Sequence, residues 1–196
     1  MICIRGYSSP LAAAVAELLP ASETLSIAGR GETITRGERH LFCQGVMTPK
    51  LIGKQSKEEI AKSFWVNAVD IIQQCDLIFE KNDTARICVI GSESGFSWSY
   101  DGAYAASKAA LHRYVETKRL RTAQQQLVCI APTIISDGAM TLRRTDLESL
   151  ADRATKHPKG RFLTCAEVAR WVHFVLYQDD GYGSGMVIRL NGGSHI

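Results

Sequence analysis

Six short apolar runs, most of them containing β-branched residues, interleaved with stretches of helical periodicity, constrain this chain more than any other feature. Ile2–Arg5, Thr24–Ala28, Leu41–Cys43, Ile87–Ile90, Leu127–Ala131 and Met186–Leu190 have the length and composition of strands. Helices are predicted over Pro10–Leu19, from Ser56 to about Glu80, from the region of Tyr104 to about Gln125, over Thr145–Lys156, and from Thr164 to about Tyr177. Pro10 suits a first helical turn, where its missing N–H would be unpaired anyway. Ser56 with Glu59, and Thr164 with Glu167, have capping-box spacing. Strand–helix alternation of this kind implies a parallel sheet buried on both faces. The predicted architecture is therefore a doubly wound α/β sheet of about six strands with helices on both faces. No internal repeat or linker divides the chain, so residues 1–196 read as one domain.

Composition narrows the class of function. With 45% hydrophobic and 22% charged residues and a net charge of +3, neither a nucleic acid nor a membrane partner is indicated. No apolar run reaches the length of a membrane span. The N-terminus enters a strand-like run directly and is too short in apolar residues for a signal peptide. The six cysteines form no CxxC pairs, and Cys3, Cys43, Cys88 and Cys129 lie inside apolar runs. Buried free thiols of this kind fit a reducing, cytoplasmic compartment. The five histidines show no ligand spacing, so no metal is expected.

The stretch Val89–His112, VIGSESGFSWSYDGAYAASKAALH, carries the chemistry. It reads as a buried strand, a Ser-Gly turn, an aromatic loop and a helix bearing Tyr104 and Lys108. Four residues apart, those side chains share one helix face, and an ammonium beside a phenol favours the phenolate. Ser92 lies just past the strand, where a hydroxyl would bond the oxygen that Tyr104 protonates. A lone YxxxK pair is usually two solvated neighbours. Here the strand-Gly-Ser upstream and the small residues Ala103, Ala105, Ala106, Ser107, Ala109 and Ala110 strengthen the signal.

These residues resemble those of the short-chain dehydrogenase/reductase family, over nearly the whole chain and most strongly from Lys57 onward. Asn67 in FWVNAVD falls where that family places an asparagine that holds a water next to the catalytic lysine. Ser92, Tyr104 and Lys108 match the other members of its tetrad. IAPT at Ile130–Thr133 resembles the segment that contacts the nicotinamide, and GRFLTCAEVARWVHFVL and GSGMVIRLNGG resemble the closing helix and strand. The resemblance implies a Rossmann-like fold, a small-molecule substrate, and hydride exchange between a nicotinamide and a carbonyl or alcohol carbon. Tyr104 would be the acid/base, Ser92 would hold the substrate oxygen, and Lys108 would depress the tyrosine pKa and bond the ribose. Asn67 would relay protons through water. Cofactor contacts would come from Gly6, Ser8, Ser9, Leu11, Arg30, Gly45, Tyr104, Lys108, Pro132, Thr133 and Ile135. A homodimer or homotetramer assembled through the two long helices is also implied.

The pattern departs from the family in its first half. Gly6 matches the first glycine of the phosphate turn, but Pro10 and Ala12 replace the second and third. Proline there adds bulk and removes a donor; Ser8 and Ser9 offer compensating hydroxyls and amides. Between Ala28 and Leu41 there is no room for the usual helix-plus-strand unit, so one such unit is missing after the second strand. Cys43-Gln44-Gly45 replaces the usual Asn-Ala-Gly. Arg30 suits an NADP 2′-phosphate, with Glu32 two positions on. NADP(H) is thus favoured, with NAD(H) as the other option. The expected activity is an NADP(H)-dependent oxidoreductase interconverting a carbonyl and an alcohol. The alternative is a binding or regulatory protein of the same fold with weak or no dinucleotide affinity. The aromatics Phe96, Trp98 and Tyr100 would either grip a ring-shaped or apolar substrate or simply pack their loop. The charged segment Ser136–Lys159, with Arg143, Arg144, Asp146 and Glu148, would form the opposite wall.

Overall fold

A computed structural model of the chain describes residues 1–29, 32 and 35–194. Six strands form one parallel sheet: β1 (Ile2–Arg5), β2 (Leu25–Ala28), β3 (Arg39–Phe42), β4 (Arg86–Ile90), β5 (Gln126–Pro132) and β6 (Val187–Leu190). Their order is β2-β1-β3-β4-β5-β6, with the reversal between β1 and β3. The strands run in near register; Ile4 faces Leu41, Leu41 faces Cys88, and Cys88 faces Val128. Central strands buried on both sides explain why the runs read as continuously apolar rather than alternating.

Side chains leave the sheet alternately toward two cores. On one face, Ile2, Ile4, Leu41, Cys88, Ile90, Val128 and Ile130 pack against α1 (Pro10–Ala16) and α7 (Cys165–His173). On the other, Phe42, Ile87, Val89, Leu127 and Cys129 meet α3 (Asp70–Lys81) and α4 (Gly102–Thr117). The sheet is therefore doubly wound, as predicted, with one strand–helix unit fewer between β2 and β3. Both capping boxes form: Ser56 with Glu59 opens α2 (Lys57–Phe64), and Thr164 with Glu167 opens α7.

Four predicted helices differ from the observed ones. The long helix expected from Ser56 to Glu80 is α2 and α3 joined by a π-helical turn at Trp65–Val69. The helix through Tyr104 stops at Thr117 rather than near Gln125. Beyond it, Arg121 and Gln125 turn back onto α3: Arg121 Nη1 donates to Glu80 O, and Gln125 Nε2 to Phe79 O and Asn82 O. These bonds satisfy carbonyls at the end of α3 that a helix terminus leaves unpaired. The first helix ends at Ala16 instead of Leu19, and the last closes in a π turn over Phe174–Gln178. The helix predicted over Thr145–Lys156 is α6 (Leu147–Lys156), and a short further one, α5 (Ala139–Leu142), precedes it between β5 and α7. No described helix is long and apolar enough to cross a membrane.

Candidate active site

The carboxyl ends of the strands, where a doubly wound sheet presents its crevice, hold the residues singled out by the sequence. β4 ends at Ile90 and delivers Ser92, which caps a short turn over Glu93–Gly95. The Ser92 hydroxyl accepts from Ser94 N at 3.2 Å, which leaves its own O–H free to donate. α4 brings Tyr104 and Lys108 to the same place, both buried. The Lys108 ammonium lies 5.9 Å from the centre of the Tyr104 ring and donates to Ile90 O at 2.7 Å.

Burial governs the electrostatics. Lys108 is 2% exposed, and desolvation lowers its pKa to about 8. Tyr104 is raised above its ordinary value by burial; the neighbouring Ser92 hydroxyl pulls it down, and the Asp101 carboxylate pushes it further up. The expectation that Lys108 depresses the tyrosine is therefore outweighed here: desolvation of the phenolate wins, and Tyr104 stands protonated at neutral pH.

Asp101 was not anticipated as part of this corner, although an aspartate directly before a helix is an N-cap signal. It is buried, and its Oδ1 accepts from Tyr104 N at 3.0 Å and from Gln55 Nε2 at 2.8 Å, while Oδ2 accepts from Thr48 N at 2.6 Å. One carboxylate thus fixes the first turn of α4 and the segment after β3. Glu93, equally buried, is gripped by Arg189 and Asn191 at the end of β6. That pairing spans about half the chain and has no local sequence signature.

Asn67 sits in the π turn and is fully buried. Its Oδ1 accepts from Val46 N at 2.8 Å, and its Nδ2 donates to Val46 O at 2.9 Å and Ser63 Oγ at 3.1 Å. Both amide N–H groups are thereby committed, and the side chain clamps the segment after β3. π turns often occur at functional positions.

The predicted cofactor contacts divide. Gly6 has φ +83°, and a Cβ there would stand 2.7 Å from Gln44 N, so only glycine lets the β1 turn pass the end of β3. Ser9 caps α1, its hydroxyl accepting from Ala12 N at 3.2 Å, and Pro10 takes the first helical position. The Ser9 O–H donates to Cys43 Sγ at 3.6 Å, so that hydroxyl is occupied, and Leu11 points into the core. Ser8 is exposed, and no described carbonyl accepts from the Tyr7 or Ser8 N–H. Gly45 is exposed, with the Met140 Cε of α5 3.0 Å from where a Cβ would be. Pro132 ends β5, Thr133 N donates to Leu190 O, and Ile135 packs beside Leu163. Arg30 lies outside the described residues, while the Glu32 carboxylate accepts from Gly29 N at the tip of β2.

The aromatic loop splits as well. Phe96 stacks on His112, whereas Trp98 and Tyr100 stand out at 79% and 53% exposure. Those two, with Leu51, Ile52, Gly102 and Ala105, line a shallow apolar cleft of about 340 Å³. In the charged segment before α6, Arg144 pairs with Asp146. Among the described residues no cluster of His, Cys, Asp and Glu is arranged to hold a metal.

A family model described as Enoyl-(Acyl carrier protein) reductase matches residues 42–195, from the last residue of β3 through the whole second half. The chain belongs to the short-chain dehydrogenase/reductase family. Family membership makes it an oxidoreductase of the CH–OH/C=O class. None of the curated protein sequences matches it. Among solved structures it resembles ElxO with NADP bound (17% identity, TM-score 0.82, covering 98% of this chain and 97% of that one). A short-chain dehydrogenase family protein from Francisella tularensis subsp. tularensis SCHU S4 superposes equally well, at 19% identity, TM-score 0.82 and the same coverage. A 3-oxoacyl (acyl-carrier-protein) reductase from Agrobacterium tumefaciens C58 with NADP bound follows at 18% identity and TM-score 0.79, covering 98% of this chain and 93% of that one. At these identities the likeness is one of fold. The short-chain dehydrogenase/reductase match begins beyond the β1 turn, so it covers the Ser92–Tyr104–Lys108 corner but not the altered glycine-rich segment.

Proposed function

We propose that this chain is an NADP(H)-dependent oxidoreductase that interconverts a carbonyl and an alcohol on a small organic substrate, with Tyr104 as the proton donor and acceptor. The observation that carries this reading is the convergence of Tyr104, Ser92 and Lys108 in one buried corner at the strand ends. Burial keeps the Tyr104 phenol protonated, so it is poised to give its proton to an oxygen that is becoming an alcohol. The free O–H of Ser92 donates to that same oxygen and fixes its position. Lys108 gives one of its three N–H groups to Ile90 O, and the remaining donors suit the hydroxyls of a ribose. A buried ammonium with donors to spare is the feature that fits a dinucleotide here. Gly6 and the turn amides of Tyr7 and Ser8 would hold the pyrophosphate, with fewer donors than the family pattern because of Pro10. A nicotinamide, when bound, supplies the hydride. Asn67 keeps the Gly45–Val46 segment in place beside it.

The preference for NADP(H) rests on Arg30 and on the NADP carried by similar folds; Glu32 at the tip of β2 is the feature that favours NAD(H). A homo-oligomer is part of the proposal, supported by Trp65 and Val69 in the π turn and Leu77 in α3 lying exposed. A cytoplasmic location is supported by the six free cysteines. The second reading, a binding or regulatory protein, is favoured by the occupied Ser9 hydroxyl and the Pro10 position.

Thermal unfolding with NADPH, NADH or neither separates these readings. A ligand at a hundred times its Kd adds about 2.7 kcal/mol of stability. We expect a clear upward shift with NADPH, a smaller one with NADH, and loss of turnover in Tyr104→Phe with its unfolding temperature unchanged. Absence of any shift at millimolar cofactor, or a Tyr104→Phe variant as active as the wild type, would overturn the assignment.

A further inference from the structure

His112 lies one further turn along α4 on the face that carries Tyr104 and Lys108, and nothing in the proposed chemistry uses it. It is 3% exposed. Its Nε2 accepts from the backbone N–H of Ser92 at 3.3 Å. The turn is moulded against the ring: a Cβ on Gly91 or Gly95 would collide with the imidazole. Phe96 stacks on it with ring centres 4.6 Å apart, and the Arg189 guanidinium lies over Phe96 at 4.5 Å. Glu93, between these contacts, is held by Arg189 and Asn191.

From this geometry we infer that His112 is a positioning residue for Ser92: its neutral ring, protonated on Nδ1, holds the Ser92 amide and so sets where the Ser92 hydroxyl points. The inference rests on the reading of Ser92 as the group that binds the substrate oxygen. An accepting Nε2 requires the Nδ1–H tautomer. Yet Nδ1 is buried and has no described partner. An unsatisfied buried donor costs stability, so a leucine would fill this space more cheaply. What leucine could not supply is the acceptor for Ser92 N–H. The surrounding charges keep the ring neutral: burial and the cations Lys108 and Arg189 lower its pKa, Glu93 opposes them, and the result is about 4.

The test combines one spectroscopic and two kinetic measurements on the full chain. Nitrogen NMR of the wild type should show Nε2 as the unprotonated ring nitrogen, and the Ser92 amide resonance should move in His112→Leu. With NADPH and whichever ketone or aldehyde of a small panel the wild type reduces, His112→Leu should lower kcat about tenfold, a loss of one modest interaction. The KM for NADPH should stay unchanged. His112→Gln, whose amide oxygen can reach the Nε2 position, should recover most of the rate. In a Ser92→Ala background His112→Leu should cost nothing more, because the two substitutions remove the same effect. A proton on Nε2, an unmoved Ser92 amide in His112→Leu, a wild-type kcat in that variant, or full additivity with Ser92→Ala would each overturn the inference. If the wild type reduces no member of the panel, the functional reading fails by itself. The ring tautomer and the Ser92 resonance then decide the positioning role alone.

Discussion

The corner around Tyr104, at the end of β4, and the turn after β1 lie at the same edge of the sheet with β3 between them, yet they are built in opposite ways. Around Tyr104 nearly every element is tied by a buried polar contact: Asp101 to the first turn of α4, Lys108 to Ile90 O, His112 to Ser92 N and Glu93 to β6. The β1 turn depends on a positive-φ glycine, a single serine cap and a seven-residue helix, with Tyr7 and Ser8 open to solvent. Polar contacts in a low-dielectric interior hold groups to fractions of an ångström, at the cost of burying charge. Apolar packing and exposed amides tolerate change. The acid–base geometry and the holding of a cofactor are therefore separable properties in this chain, and substitutions can move one without the other.

The largest effect belongs to Lys108. A buried ammonium with one hydrogen bond is a strain on the fold that only function justifies. Lys108→Met should abolish turnover. It should also stabilise the protein at pH 7 by about 2 kcal/mol, because the desolvation that pushes the lysine pKa down to about 8 outweighs the lost bond to Ile90 O. The sign in pH follows from the lowered value. Between about pH 8 in the folded state and about 10.4 unfolded, the unfolded chain holds a proton that the folded one lacks. Wild-type stability attributable to this group therefore rises through that window, and the advantage of the variant shrinks. Denaturant titrations from pH 7 to 10 measure it. A methionine variant less stable than the wild type at pH 7 would mean that burial does not strain this lysine.

Asp101 comes next. Its loss leaves Tyr104 N and Thr48 N without acceptors, while Gln55 Nε2 keeps Lys50 O; Asp101→Ala should destabilise by about 2 kcal/mol, and kcat should fall as the first turn of α4 loosens. Asp101→Asn keeps one acceptor and should recover about half of both. Chemical unfolding and initial rates on the same preparations check this. If stability falls while kcat holds, Asp101 is a cap and nothing more to the site.

How far these relationships were visible in the sequence depends on their range. Strand count, the missing unit, both capping boxes and the need for Gly6 rest on local pattern and were legible. The π turn at Trp65–Val69 was not, because residues that favour it look like ordinary helix; only the tertiary bond from Asn67 to Val46 distinguishes it. The early end of α4 depends on Arg121 and Gln125 finding carbonyls some 40 residues away in α3. The Tyr104–Lys108 spacing predicted proximity correctly, but the direction of the tyrosine shift depends on burial, which spacing alone does not reveal. Glu93 and Arg189 are 96 positions apart, and neither is marked locally as half of a pair.

The smallest effect tests the other half of the comparison. Pro10 occupies the first position of α1, where it costs the helix nothing and restricts the unfolded chain, but it withholds an amide from the phosphate turn. Pro10→Gly should destabilise the free protein by about 1 kcal/mol. It should also tighten NADPH binding, by up to about tenfold for one added donor. The acid–base corner shares no contact with Pro10, so kcat at saturating NADPH should not change. Calorimetric titration with NADPH and a rate measurement distinguish the terms. Unchanged affinity would show that the β1 turn already presents all the donors the phosphates use, and that its departure from the family pattern is a change of stability rather than of binding.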